Sequence, residues 1–119
     1  MSFPLVYLKP DNTFNMADSF DIAASSAAEL DTVFNILGIQ IPTFTDSYEL
    51  KEKLKEEGTK GIISCDDMLV ACDLILGDKT IFEKHYFLNE DPEDIASTIS
   101  LIEDIKEKSL QGYRIVQLL

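Results

Sequence analysis

Apolar positions along the chain change period several times, and each change marks an element. Phe3–Lys9, "FPLVYLK", alternates as a half-buried strand does, and Pro10, Asp11 and Asn12 close it with turn chemistry. Residues 14–25 fit either a loop or an extra helical turn. In "SSAAELDTVFNILG", Leu30, Val33, Phe34 and Leu37 recur at i, i+3, i+4 and i+7, one apolar face of a helix. Ser26 with Glu29 has the capping-box spacing, and Gly38 stands where a left-handed residue ends such a helix.

"IQIP" alternates briefly and predicts a short strand at an edge, since Pro42 cannot donate to a ladder. "TDSYELKEKLKEEG" predicts a second helix capped by Asp46 and Glu49 and stopped at Gly58. Only Tyr48, Leu50 and Leu54 give it an apolar stripe. Glu49 and Lys53 have the favourable i, i+4 order, worth a few tenths of a kcal/mol. "TKGIISC" predicts a short strand around its two isoleucines. Residues 68–76 are too uniformly apolar to show a helical face. With Thr80–Leu88 across "GDK" they read as a β-hairpin, and a helix followed by a strand is the alternative.

"NEDPEDIASTISLIEDI" starts a third helix. Asn89 or Asp91 can cap it, Pro92 suits its first position, and Glu93 and Asp94 complement the positive end of its dipole. Ile95, Ile99, Ile102 and Ile105 form one stripe, Leu110 returns to that face, and Gly112 ends the helix. "YRIVQLL" is apolar enough to dock inside a sheet as the last strand. This order predicts a single α/β domain over residues 1–119. It is a sandwich whose mixed sheet has about five to six strands, with about three helices, the last followed by a final strand.

The chain length of 119 residues suits one domain that needs neither disulfides nor metal to fold. Cys65 and Cys72 have no zinc or redox spacing and read as inert thiols of a reducing compartment. No stretch approaches the roughly 18 apolar residues of a membrane span, and no signal-peptide pattern opens the chain, so a cytoplasmic protein is expected.

Charge changes the picture more than length does. Asp and Glu number 22 against 10 Lys and Arg, a formal net charge of −12, and Arg114 is the sole arginine. Nucleic-acid binding is excluded on that balance, because phosphates are held by Arg and Lys. A basic protein partner is the natural inverse, since a negative field speeds its encounter.

Enzyme chemistry lacks its materials. His85 is the single histidine, no nucleophile–base pair can be assigned, and no glycine-rich phosphate loop is present, so neither catalytic residue nor cofactor is expected. Asp66 and Asp67 follow a predicted strand and with Asp73 or Asp78 offer carboxylates to Mg²⁺, although a tight turn explains the pair more simply. The acids Glu90, Asp91, Glu93 and Asp94 exceed what capping needs. They are the foremost candidates for partner contact, with Asp66 and Asp67 second and Tyr86 and Tyr113 as aromatic anchors. The expected function is a small acidic protein-binding module, most sharply an immunity protein or inhibitor occupying the cationic site of a toxin such as a nuclease. The alternative is a structural or regulatory subunit associating through apolar surface, with monomer and homodimer both open.

Overall fold

The structure, a computed structural model, describes residues 2–78 and 92–119. Strand β1 (Ser2–Leu8) leads through a 3₁₀ turn at Met16–Asp18 into β2 (Phe20–Ala23) and directly into α1 (Ala24–Ile36). Then follow β3 (Thr43–Phe44), α2 (Ser47–Glu57), α3 (Cys65–Gly77), α4 (Pro92–Leu110) and β4 (Arg114–Leu118). The strands form one mixed sheet in the order β2-β1-β4-β3. β1 runs antiparallel to both β2 and β4, and β3 runs parallel to β4.

The expectation of five to six strands with three helices is therefore corrected. Among the described residues the sheet has three strands of at least four residues and a two-residue edge strand, packed with four α-helices. The largest change is at residues 68–76, expected as a strand and found inside α3. Ser64 caps α3, its hydroxyl accepting from the Asp67 amide at 3.2 Å. The buried residues Met68, Ala71, Cys72 and Ile75 step at i, i+3, i+4 and i+7. The helical face was hidden because apolar Val70 and Leu74 lie on the solvent side, 59% and 56% exposed. "GIISC" is not a strand either: residues 61–62 are a turn and a bend, 63–64 are irregular, and Cys65 opens the helix. The second arm of the expected hairpin, Thr80–Leu88, lies outside the described residues, as does His85.

Smaller shifts have local causes. Residues 20–23, left between loop and helix by their sequence, pair with β1 as β2. The "IQIP" strand is displaced to Thr43–Phe44, beyond Pro42, whose carbonyl accepts from the Gln117 amide at 3.0 Å. α1 starts at Ala24, so Ser26 is inside the helix rather than its cap. Leu110 does not return to the isoleucine stripe but is exposed, because the chain leaves the helix there.

Other local expectations hold. Asp46 caps α2 by accepting from the Glu49 amide at 2.8 Å, while Glu49 reaches back one residue further, to the Thr45 amide at 3.0 Å. Lys53 consequently pairs with Glu57, at 2.9 Å, instead of Glu49. α4 ends in a Schellman turn: the Tyr113 amide bonds the Lys108 carbonyl and the Gly112 amide the Ser109 carbonyl. Gly112 adopts φ 88°, and a Cβ there would stand 3.1 Å from Pro10 Cγ. Only glycine meets both demands easily.

Alternation along β1 divides the core. Leu5 and half-buried Tyr7 face α1, α3 and α4 in a cluster with Leu30, Phe34, Ile75, Ile102, Ile105 and Ile115. Val6 and Leu8 face the other way, against Leu50 of α2, Phe44, Ile62, Val116 and Leu118. The sheet is covered on both sides, and β4, buried from Ile115 to Leu118 with Gln117 among them, lies between β1 and β3. No helix among the described residues is long and apolar enough to cross a membrane.

Candidate functional site

α3 lies antiparallel to α4. The Cys65 thiol donates to the Tyr113 carbonyl at 3.4 Å at one end, and Lys106 pairs with Asp73 at 2.7 Å further along. This arrangement points Ala71, Cys72 and Ile75 inward and leaves the opposite side in water. At about 100° per residue, Val70 and Leu74 stand side by side on that outer side. Asp66 and Asp73 fall on one flank, Asp67 on the other, and Asp78 follows at the C-cap. All four aspartates are exposed. The result is a short apolar stripe edged by carboxylates.

Electrostatics on this face follow from its neighbours. Asp66 and Asp67 sit in the first turn of α3, where the helix dipole favours negative charge. Asp73 is engaged by Lys106, and that hydrogen bond raises the ammonium above the ordinary lysine range. Beneath the stripe, burial pushes the Cys72 thiol up to about 12, so it stays protonated. Cys65 and Cys72 are both free thiols, the first half-buried and the second fully buried.

The expected contact residues separate into two groups. Asp66, Asp67 and Tyr113 come together where the start of α3 meets the end of α4. Tyr113 is half-buried, its ring 5.0 Å from the Lys108 ammonium, so it is less an exposed anchor than part of a cleft. Glu93 is exposed in the first turn of α4, at the far end of a 19-residue helix, about 25 Å from Tyr113. Asp94 follows it in the helix backbone. Glu90, Asp91 and Tyr86 lie outside the described residues. Asp66 and Asp67 do not meet Asp73 or Asp78 at one point, because some two helical turns separate them. Among the described residues no three potential ligands form a metal-holding group.

Two features escaped the sequence reading. Val70 and Leu74 were assigned to a strand, although Ser64 and Asp67 carry the Ser-x-x-Asp spacing of a helix start. The second is a grouping of cations at the end of the sheet where β1 stops and β4 begins. A cleft of about 270 Å³ is lined by Tyr7, Lys9, Lys108 and Tyr113. An adjoining one of the same volume shares Lys9 and adds Ser64, Cys65, Asp66 and Arg114. No local sequence signal marks this grouping, because Lys9 and Lys108 belong to opposite ends of the chain.

Comparison of the chain with family models, with curated proteins and with solved structures returns no match.

Proposed function

We propose that the chain is a small acidic protein-binding module that docks on a basic surface of another protein through the outer face of α3. The observation that carries this reading is the Val70–Leu74 stripe, more than half exposed and edged by aspartates. Apolar area supplies affinity once it is covered, and the surrounding charge selects the partner and speeds its approach. A partner that fits combines an apolar knob with Lys or Arg around it. In its sharpest form the module is an immunity protein or inhibitor that occupies the cationic cleft of a toxin such as a nuclease. Its carboxylates then stand where nucleic-acid phosphates would lie. A net charge of −12 with a single arginine supports that form. Glu93 and Asp94, at the other end of α4, belong to a second contact region in this reading. The reading gives the chain no catalytic role.

The same stripe favours a second reading, a structural or regulatory subunit or a homodimer joined through apolar surface. A twofold pairing of α3 faces would set the aspartates of one copy against those of the other. That repulsion makes a basic hetero-partner the better fit.

The test is affinity capture with the tagged protein at low and high salt, followed by association kinetics with Asp66→Lys and Asp67→Lys. One basic partner near stoichiometry, weakened by salt and bound more slowly by both variants, is the expected result. Salt-insensitive capture of the chain alone would overturn the reading in favour of self-association.

A further inference from the structure

We propose that the cleft between the end of β1 and the end of α4 binds a small oxyanion, the phosphate or carboxylate group of a small molecule. This goes beyond the docking face, since its lining carries the opposite charge, although the adjoining cleft reaches Asp66 at the start of α3. Its four lining residues are Tyr7, Lys9, Lys108 and Tyr113, two ammonium groups and two phenols with no carboxylate among them. In a chain with 22 acidic residues, cations ordinarily find carboxylates nearby. Neither Lys9 nor Lys108 makes an ion pair among the described residues.

The Lys108 ammonium is instead held between two aromatic rings, 5.6 Å from the centre of Tyr7 and 5.0 Å from that of Tyr113. Such a cage restrains the lysine and leaves its N–H donors open to an anion. Lys108 also lies in the last turn of α4, where a cation complements the helix dipole. That purely structural role accounts for Lys108, but it does not account for Lys9 lining the same cleft. The cavity volume of about 270 Å³ lies just below the range of drug-sized ligand sites, which suits a compact solute.

Acids do stand near the cleft, but among the described residues none forms an ion pair with Lys9 or Lys108. Asp11, the acid closest along the chain to Lys9, accepts from the Thr13 amide at 3.0 Å and the Thr13 hydroxyl at 2.5 Å, and these bonds, with a smaller contribution from the Lys9 charge, hold it below the usual carboxylate range. Asp66 lines the adjoining cleft, where Arg114 also sits, its guanidinium donating to the Ile62 carbonyl at 3.4 Å. Burial raises the Tyr7 phenol above its ordinary range, and the Asp104 charge adds to the rise, so one carboxylate does reach the cleft's edge through space. Acids further away than about 8 Å are largely screened at physiological ionic strength.

The experiment is a titration of the ¹⁵N-labelled protein with sodium phosphate, and separately with sodium succinate, each against sodium chloride at matched ionic strength. Lys9→Gln, Lys108→Gln and, as a control on α2, Lys55→Gln are titrated alongside. The expected result is a saturable shift of amides at residues 7–9 and 108–114 with at least one of the two oxyanions. Lys9→Gln and Lys108→Gln should each weaken it about tenfold, and Lys55→Gln should leave it unchanged. Saturation by phosphate alone identifies a phosphorylated ligand, and saturation by succinate alone a carboxylated one. Shifts that chloride reproduces, or that survive Lys9→Gln undiminished, would overturn the proposal. Lys9 is exposed, so that variant decides the matter even if Lys108→Gln fails to fold.

Discussion

Two adjacent residues of α3 test both its packing and the role proposed for its outer face. Ile75 has no exposed surface and packs in the main core cluster, whereas Leu74 leaves 56% of its surface in water. Ile75→Ala removes buried methyl groups and leaves a cavity, a change that costs about 2–5 kcal/mol. Full burial of a leucine contributes about 1.5–3 kcal/mol, so truncating one that is 56% exposed forfeits at most about 1.3 kcal/mol. Alanine's better helix propensity returns a few tenths in both cases. Urea unfolding followed by far-ultraviolet circular dichroism separates the two variants. With a slope of about 1–3 kcal/mol per molar, Ile75→Ala should lower the midpoint by about 1 M or more and Leu74→Ala by about a third of that. Equal losses would refute the assignment of the buried side. The test also distinguishes helix from strand, since strict alternation would bury Asp73 with Ala71 and Ile75, whereas here Asp73 is exposed. Leu74→Ala, still folded, should then bind the basic partner more weakly.

Ser109 is 3% exposed and its hydroxyl has no hydrogen-bond partner, so Ser109→Ala should raise the melting temperature by a few degrees, as differential scanning calorimetry would show. Gly112→Ala should cost about 1 kcal/mol or more, because alanine is strained at φ 88° and its Cβ would crowd Pro10; an unchanged unfolding midpoint would contradict that geometry. In a thiol-reagent assay on the native protein, Cys65 should react and Cys72 should not until denaturant is added, since burial keeps the Cys72 thiol protonated. Hydrogen bonds from Thr13 hold Asp11 below the usual carboxylate range, and Lys53 does the same for Glu57. The stability they contribute is present above the ordinary carboxylate pKa and is lost as pH falls through the depressed values, below about pH 4. Asp31 runs the other way, because burial raises its pKa and protonation there favours the fold. Lys106, raised by Asp73, contributes below the ordinary lysine pKa and loses that contribution as pH rises above about 10. Melting temperature against pH should therefore show a plateau with small losses at both ends, the acid limb becoming shallower in Asp11→Ala.

Local grammar was legible where one segment contains all its own determinants. The cap of α2 at Asp46, the stop at Gly58 and the Schellman turn at Gly112 depend on residues within one or two turns of each other, and the structure has each where its spacing puts it. The interior position of β4 was legible for a related reason, since consecutive apolar residues need cover on both faces. α3 was misread because period carries information only when one face is polar. Val70 and Leu74 broke the contrast between inside and outside, and they are the residues that the proposed function requires to be apolar and exposed. β2 was missed because its pairing with β1, Phe3 against Ile22 and Leu5 against Phe20, is a contact between segments and not a pattern within one.

Of the candidate surface, the sequence by itself determined the charge, 22 acids against 10 bases. It also placed Asp66 and Asp67 together, since neighbours in a chain stay neighbours in space. Tertiary structure alone decided the rest. Antiparallel packing of α3 on α4 carried the start of one helix to the end of the other. Asp66 and Tyr113 therefore share one end of the pair while Glu93 stands at the opposite end. The same packing, with β1 ending against β4, brought Lys9 and Lys108 into the lining of one cleft. Side chains about a hundred positions apart meet only because burying the apolar faces of a sheet and its helices fixes where every element must end.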